Sequence, residues 1–267
     1  MIILVNKAVV FDNSGTLLER YRIIKNVVTG EMFTDINSLQ LIDDMGDAAL
    51  VVLQFNSACL SKLNPNIKIY DLIKKYNIKF NVSYSNYPLN DEEVIDILKH
   101  DSTTIKDISD GFDFLKEKVQ NMHLCNGSAV IIDLLHHNIA YTITSAGRLF
   151  PNVISTVNTL KNRNMDVFIA SGDRSGAIKK LAEIININEE NAFPTANSMR
   201  KCEIVEQLQN KGYKVMMVGD GPNDIMAFKK ADVSVLTLEQ KEQVSPRMFN
   251  VADFYIDNIS DILNIDF

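Results

Sequence analysis

Residues 9–18 read VVFDNSGTLL, and the change of character inside this stretch decides the fold. Val9, Val10 and Phe11 close an apolar, β-branched run that starts at Ile3 and is broken only by Asn6 and Lys7. Such a run predicts a buried strand. Asp12, Asn13, Ser14, Gly15 and Thr16 then form a polar turn, and its glycine opens backbone geometries closed to other residues. An open parallel sheet binds its ligands at the carboxyl ends of its strands, which is where Asp12 would stand.

Beyond position 147 helix and strand signals alternate. Val153, Ile154, Val157 and Leu160 are expected on one helix face, 166–170 (DVFIA) as a strand, and Ile178, Leu181, Ala182 and Ile185 on a second helix. Cys202, Val205 and Leu208 mark a third helix, 214–218 (KVMMV) a strand, 224–230 a short helix, and 232–236 and 254–256 the last strands. This rhythm predicts an α/β fold, a doubly wound, mostly parallel sheet with helices on both faces.

Residues 18–145 do not keep that rhythm. A helix beginning at Asn90, with Glu93 in capping-box position, would bury Val94, Ile97 and Leu98. A second carries Phe112, Leu115 and Val119, and 129–135 and 139–144 flank His136-His137-Asn138 as a β-hairpin. The expected organisation is therefore a catalytic core of residues 1–17 and 146–267, with an α+β cap domain, 18–145, inserted after the first motif.

Three polar clusters follow predicted strands directly: Asp12 to Thr16, Ser171-Gly172-Asp173, and Gly219-Asp220-Gly221-Pro222-Asn223-Asp224. Lys201 begins a helix between the last two. This set suits phosphoryl transfer. Asp12 can attack phosphorus as a covalent nucleophile. Asp12, Asp220 and Asp224 would hold a hard cation, most simply Mg²⁺. Lys201 would add fixed positive charge beside nucleophile and phosphate. The Ser171 hydroxyl and Gly172 amide, opening a helix, would bind the phosphate, and Asn223 would orient the acidic loop or the phosphate.

The segments VVFDNSGTLL, VFIASGD, Lys201 and VGDGPND resemble, in order and spacing, the four signature motifs of the haloacid dehalogenase superfamily, whose members are mostly phosphatases. The long gap between Asp12 and Ser171 leaves room for a cap; the later gaps do not. The likeness is closer still to the phosphorylation domain of P-type ATPases, with its DKTGT, TGD and GDGxND motifs and an ADV-like strand after the last. Here these are DNSGT, SGD, GDGPND and Ala231-Asp232-Val233, and the helix of 201–209 also resembles its pump counterpart. The resemblance covers residues 3–18 and about 147–258. It implies a Rossmannoid core and an aspartyl-phosphate on Asp12. The insert sits where pumps carry their nucleotide-binding domain, yet contains no nucleotide motif.

One position departs from the phosphatase pattern. Most phosphatases of the superfamily carry Asp two residues after the nucleophile, as leaving-group acid and later as base for water; here that position is Ser14. A hydroxyl is a poor general base near neutral pH, although the Ser14 backbone carbonyl could still bind Mg²⁺. Leaving groups that need no proton, such as ADP or a carboxylate, should be favoured over sugar alkoxides, and the phosphoenzyme should be long-lived. Pumps share this lack of a carboxylate. The reading is a cytoplasmic, Mg²⁺-dependent phosphohydrolase acting on a small phosphomonoester or phosphoanhydride, nucleotides included. The alternatives are an ATP-dependent self-phosphorylating switch or phosphotransferase, and a non-catalytic phosphate- and metal-binding regulatory module. A metal-free dehalogenase is disfavoured by the pairing of Asp220 with Asp224.

Composition agrees. The 267 residues are 46% hydrophobic and 23% charged, enough to bury a sizeable core. A net charge of −7 argues against broad nucleic-acid or anionic-membrane binding. No apolar run reaches spanning length, and no secretion signal is expected at the N-terminus. Cys59, Cys125 and Cys202 are too scattered for a disulfide framework or zinc module. The N-x-S matches at Asn81, Asn126 and Asn258 read as chance. His136 and His137 read as turn residues, His123 with Cys125 as a pair lacking further metal ligands, Arg174 as solvated, Asp173 as a first-turn acid facing the helix dipole, and Lys116-Glu117-Lys118 as a solvated face.

Overall fold

The computed structural model describes residues 6–36, 38–55, 57–119, 124–242 and 244–267. The beginning of the expected first strand, 3–5, and His123 fall outside that range. The chain forms two compact units, Met1–Arg20 with Arg148–Phe267, and Tyr21–Gly147.

The first unit begins with β1 (Asn6–Phe11). The chain then builds β2 (Leu18–Asn26), β3 (Met32–Phe33), α1 (Ser38–Met45), β4 (Ala48–Leu53), α2 (Ile69–Tyr76) and β5 (Phe80–Ser85). It continues with α3 (Asp91–His100), α4 (Ile105–Lys118), β6 (Leu124–Asp133) and β7 (Asn138–Leu149). These strands make a six-stranded sheet of order β3-β2-β7-β6-β4-β5. Strand alternation divides its apolar residues between two cores. Val51, Leu53, Val130 and Ile132 pack with α2, α3 and α4, while Ala48, Leu50, Ala129 and Ile131 pack with Ile42 of α1.

Local signals in this unit act as their chemistry dictates. The Asn90 side chain accepts from the Glu93 amide at 3.0 Å and the Glu93 carboxylate from the Asn90 amide at 2.9 Å, a closed capping box. Asp133 accepts the amides of Leu135 and His136 at 3.0 Å each, which turns β6 into β7 at the expected hairpin, and His136 Nδ1 lies 2.8 Å from the same carboxylate. Lys25 is buried between Asp107 and Asp110 of α4, 2.8 Å from each.

The returning chain adds α5 (Val153–Asn162), β8 (Met165–Ala170), α6 (Ser175–Ile184), β9 (Ala192–Phe193) and α7 (Ser198–Asn210). It ends with β10 (Tyr213–Gly219), α8 (Ile225–Lys230), β11 (Val233–Thr237), α9 (Pro246–Phe249) and β12 (Phe254–Ile256). The sheet order is β12-β11-β10-β1-β8-β9, with parallel pairing throughout. This is the doubly wound order, and it reverses direction between β1 and β10, the place where such sheets take their ligands. Ala8 and Val10 face the core under α7 and α8, with Phe168, Ile204, Val215 and Phe228. Val9 and Phe11, on the opposite face of β1, are equally buried. The helix of 153–160 departs from its expected face at one residue: Ile154 is 46% exposed, and Thr156 takes the inward position beside Val153, Val157 and Leu160. Among the described residues no helix is long and apolar enough to cross a membrane.

Candidate active site

The first unit brings the acidic strand tips together. Asp12 follows β1, and its amide donates to the Val218 carbonyl at 2.9 Å, fixing the β1 tip to that of β10. Asp220 follows β10, and Asp224 closes the short 3₁₀ turn Pro222–Asp224. Asp12, Asp220 and Asp224 each offer a carboxylate oxygen, and all three lie within 4.8 Å of one another. Lys201, the fourth residue of α7, reaches the cluster from below. Its Nζ donates to Asp12 Oδ1 at 2.6 Å and to Asp224 Oδ1 at 2.7 Å, and all three side chains are at most 5% exposed.

Three acids facing one base in a buried space leave an excess of negative charge. Burial, then the charge of Asp224, holds the Asp12 carboxyl well above its usual range. Burial and Asp224 likewise push Asp220 up to about 7. Burial alone would lower the Lys201 ammonium, but Asp12 and Asp224 reverse that and raise it. A divalent cation is the chemical answer to such a donor set, being hard, oxygen-seeking and able to keep all three carboxylates ionised. Asn13 Oδ1 and Thr16 Oγ1, buried in the same turn without a hydrogen-bond partner, also fit a site built around a polar guest.

Two glycines make the convergence possible. Gly15 has φ +89°, and a Cβ there would run into the Asp220 carboxylate. At Gly219 a Cβ would meet the Asp224 carboxylate. The motif glycines therefore leave room for acids as well as for turns. Gly172 differs: a Cβ on it would have only an ordinary 3.9 Å contact with the Ala196 carbonyl.

Ser171 and Gly172 do not open the helix, contrary to expectation. Arg174 is the N-cap and α6 begins at Ser175, so both lie in the preceding turn. Asp173 is accordingly not a first-turn acid. Its Oδ2 accepts from Ser171 Oγ at 3.0 Å and from Asn13 Nδ2 at 2.6 Å, while its amide donates to Ser171 Oγ at 3.1 Å. Asn13 is fully buried and ties the first motif to the second. Its only sequence signal is its place immediately after Asp12, where the DKTGT pattern has lysine. Ser14 is half-buried and Asn223 exposed at the rim. Beside Asp220 opens a cavity of about 170 Å³ lined by Arg20, Gly221, Thr237, Gln240 and Lys241 among others. No other group of acids, histidines or cysteines among the described residues could hold a metal ion.

Known proteins are similar to this chain to different extents. The family model described as haloacid dehalogenase-like hydrolase matches residues 6–232. A soluble P-type ATPase-like phosphatase of Methanocaldococcus jannaschii is 36% identical over 97% of this chain and 92% of its own length. The chloroplastic copper-transporting ATPase PAA2 of Arabidopsis thaliana is 33% identical over 36% of this chain, which spans 11% of that protein. Among solved structures, the catalytic CPx-ATPase domain CopB-B aligns at 18% identity over 97% of this chain and 88% of its own, with a TM-score of 0.49.

Proposed function

This chain belongs to the haloacid dehalogenase-like hydrolases and is a phosphatase of that family, and from that premise we propose that it is Mg²⁺-dependent and carries the phosphoryl group on Asp12. The observation that supports the reading best is the contact of Lys201 with both Asp12 and Asp224, because it places a fixed cation between a strand-end nucleophile and an acidic loop. In the first step an Asp12 carboxylate oxygen bonds to phosphorus as the bond to the leaving oxygen breaks, and that oxygen keeps the electron pair. In the second, water attacks phosphorus, the bond to Asp12 breaks, and inorganic phosphate leaves with the carboxylate restored.

Asp12, Asp220 and Asp224, with the Ser14 carbonyl, would hold Mg²⁺, which when bound supplies positive charge to the phosphoryl oxygens. Lys201 favours the ionised form of Asp12 against burial and the charge of Asp224, and it orients the carboxylate. The Ser171 hydroxyl and Gly172 amide would receive the phosphoryl oxygens. For that, the Ser171 proton must turn away from Asp173, which keeps Asn13 as its other donor. Asn223 is placed at the rim of the acidic loop to meet the phosphate or steady the loop. The substrate is a small phosphomonoester or phosphoanhydride, and with Ser14 in place of a carboxylate, good leaving groups are favoured. Substrate choice would rest on the second unit acting as a cap.

Acid quench after incubation with Mg²⁺ and radiolabelled ATP tests the reading. Label that resists acid, is released by hydroxylamine and disappears in Asp12→Asn is expected. Steady para-nitrophenyl phosphate turnover with no label in any quench would point to direct attack by water instead.

A further inference from the structure

The loop between β9 and α7, Pro194 to Asn197, joins two parts of the candidate site that lie apart in sequence. Its near end bonds to the Ser171–Asp173 turn, and its far end starts the helix that carries Lys201. β8 and β9 pair in parallel as far as Ala170 with Phe193. The Ser171 amide extends this pairing, donating to the Phe193 carbonyl at 3.0 Å. After Phe193 the direction reverses. The Ala196 amide donates back to the Ser171 carbonyl at 2.8 Å, and the Thr195 amide donates to the Asp173 carbonyl at 2.9 Å. The chain must therefore turn within Pro194 and Thr195. Proline fixes its own φ and has no N–H to donate, so the reversal falls on Thr195, whose φ is +52°.

Threonine is the wrong residue for that position on local grounds. Glycine or asparagine normally fills a left-handed turn position, and a β-branched side chain there is strained. Such strain persists only where the surroundings over-determine it, and it gathers at functional sites. Thr195 is exposed, so burial does not hold it. What holds it are its amide bond to Asp173, the neighbouring Ala196 bond to Ser171, and its own hydroxyl, which donates to the Pro194 carbonyl at 2.8 Å. Two residues later Asn197 caps α7. Its side chain accepts the Arg200 amide at 2.9 Å, and its carbonyl accepts the Lys201 amide at 2.9 Å. The strained residue thus stands between the Ser171–Asp173 turn and the first turn of the lysine helix.

We propose that Thr195 is a positioning residue for phosphate binding. Its left-handed backbone holds the Ser171–Asp173 turn in fixed register with α7, so that the Ser171 hydroxyl and the Gly172 amide meet the same phosphoryl group as Lys201. The inference rests on the reading that this turn receives the phosphoryl oxygens. Thr195 acts through the turn and not on substrate, because its hydroxyl is bonded to its own chain.

Binding of inorganic phosphate to the full-length chain with Mg²⁺, followed by isothermal titration calorimetry, tests this without requiring turnover. Thr195→Val keeps the branched side chain and loses the bond to Pro194, so the Kd for phosphate should rise about tenfold. Thr195→Asn adopts the left-handed conformation at lower cost. Its Tm should rise by about 2–4 °C, with phosphate bound as tightly as in wild type or more tightly. This variant keeps the test decisive if the valine variant fails to fold. Ser171→Ala should itself weaken phosphate about tenfold. In that background Thr195→Val should add less than about a threefold loss, because the hydroxyl that the loop positions is gone. If Ser171→Ala weakens phosphate and Thr195→Val does not, or if the two losses multiply in full, Thr195 is structural only. The proposal then falls while the phosphate reading of the turn stands. Weaker phosphate binding by a stabilised Thr195→Asn overturns it as well. Phosphate binding that is indifferent to Ser171→Ala removes the phosphate reading of the turn, and this inference with it.

Discussion

Asn13 Nδ2 donates to Asp173 Oδ2 at 2.6 Å, joining the turn after β1 to the turn after β8 across 160 positions of sequence. Asn13 is fully buried and its Oδ1 has no partner, so this bond is what holds the side chain in place from the protein side. Removing Asp173 as Asp173→Ala should cost about 1–3 kcal/mol, the penalty for a stranded buried donor, and Asn13→Ala should cost less in that background than in wild type. Urea unfolding of the four proteins of the cycle measures the coupling. Additive losses would show that the contact contributes nothing.

Stability should also respond to Mg²⁺, and the response should depend on pH. Asp220 is pushed up to about 7 by burial and by Asp224, so the metal-free folded protein holds a proton that the unfolded chain has lost near pH 4. Between those two values the folded state binds more protons than the unfolded one, and metal-free stability falls as pH rises. A cation must displace that proton, so the rise in Tm caused by Mg²⁺ should be larger at pH 8 than at pH 6. A concentration one hundred times the Kd contributes about 2.7 kcal/mol. Asp220→Asn should remove most of the effect. An equal rise at both pH values would contradict it.

Gly15→Ala tests whether the first turn must make room for Asp220. Alanine at φ +89° is strained, and its methyl would displace the Asp220 carboxylate. The strain is expected to cost about 1–2 kcal/mol, and the Mg²⁺-dependent rise in Tm should shrink more than the metal-free Tm does. Gly172→Ala is the control: its methyl meets nothing closer than 3.9 Å, so it should leave both values nearly unchanged. Differential scanning calorimetry with and without Mg²⁺ separates them.

These contrasts mark where sequence is informative. The strand tips are legible because a buried parallel strand is an uninterrupted apolar run, and 166–170 and 214–218 end in acidic or hydroxylic turns whatever else surrounds them. Lys201, Asp12 and Asp224 are legible from the chemistry they share. The Asn13–Asp173 contact is not, because a short polar residue beside a catalytic acid has many local uses and the pairing appears only when β1 and β8 lie side by side. Asp173 reads as a helix-dipole acid because the start of α6 shifts by a few residues, within the ordinary uncertainty of helix ends. Ile154 misleads by periodicity: Val153 and Ile154 are adjacent, and only one of two neighbours can face the sheet.

The second unit should lose stability first in acid. Burial would raise Asp107 and Asp110, but hydrogen bonds to Lys25, Lys106 and the Thr104 amide outweigh it and lower both. Burial would lower Lys25, and the two aspartates reverse that. Depressed carboxylates give stability that is present above the unfolded pKa near 4 and lost as pH falls through the lower folded values. Raised Lys25 gives stability that is present below about pH 10 and lost above it. Lys25→Met removes a partner that depresses both aspartates, so the variant should start from a lower stability near neutral pH but lose less of it between pH 7 and pH 3 than wild type does. Urea unfolding followed by circular dichroism at the two pH values gives both losses, and an equal or larger loss in the variant would be the wrong sign.

Ser14→Asp bears most directly on the proposed chemistry. A carboxylate two residues after Asp12 could protonate the leaving oxygen and then take a proton from the attacking water, contributions worth typically 10²–10⁴-fold each. Ser14 is half-buried, so part of its surface already meets solvent. On the proposed mechanism the variant should break down its phosphoenzyme faster, so less label is trapped at steady state. Its turnover should rise more for alkyl phosphates, whose alkoxide leaving groups need a proton, than for acetyl phosphate, whose carboxylate does not. Rapid-quench measurement of phosphoenzyme decay, beside turnover of the two substrate types, gives both quantities. Equal gains on both substrates with unchanged decay would mean that the hydroxyl of Ser14 does not limit hydrolysis, and that the base for water lies elsewhere.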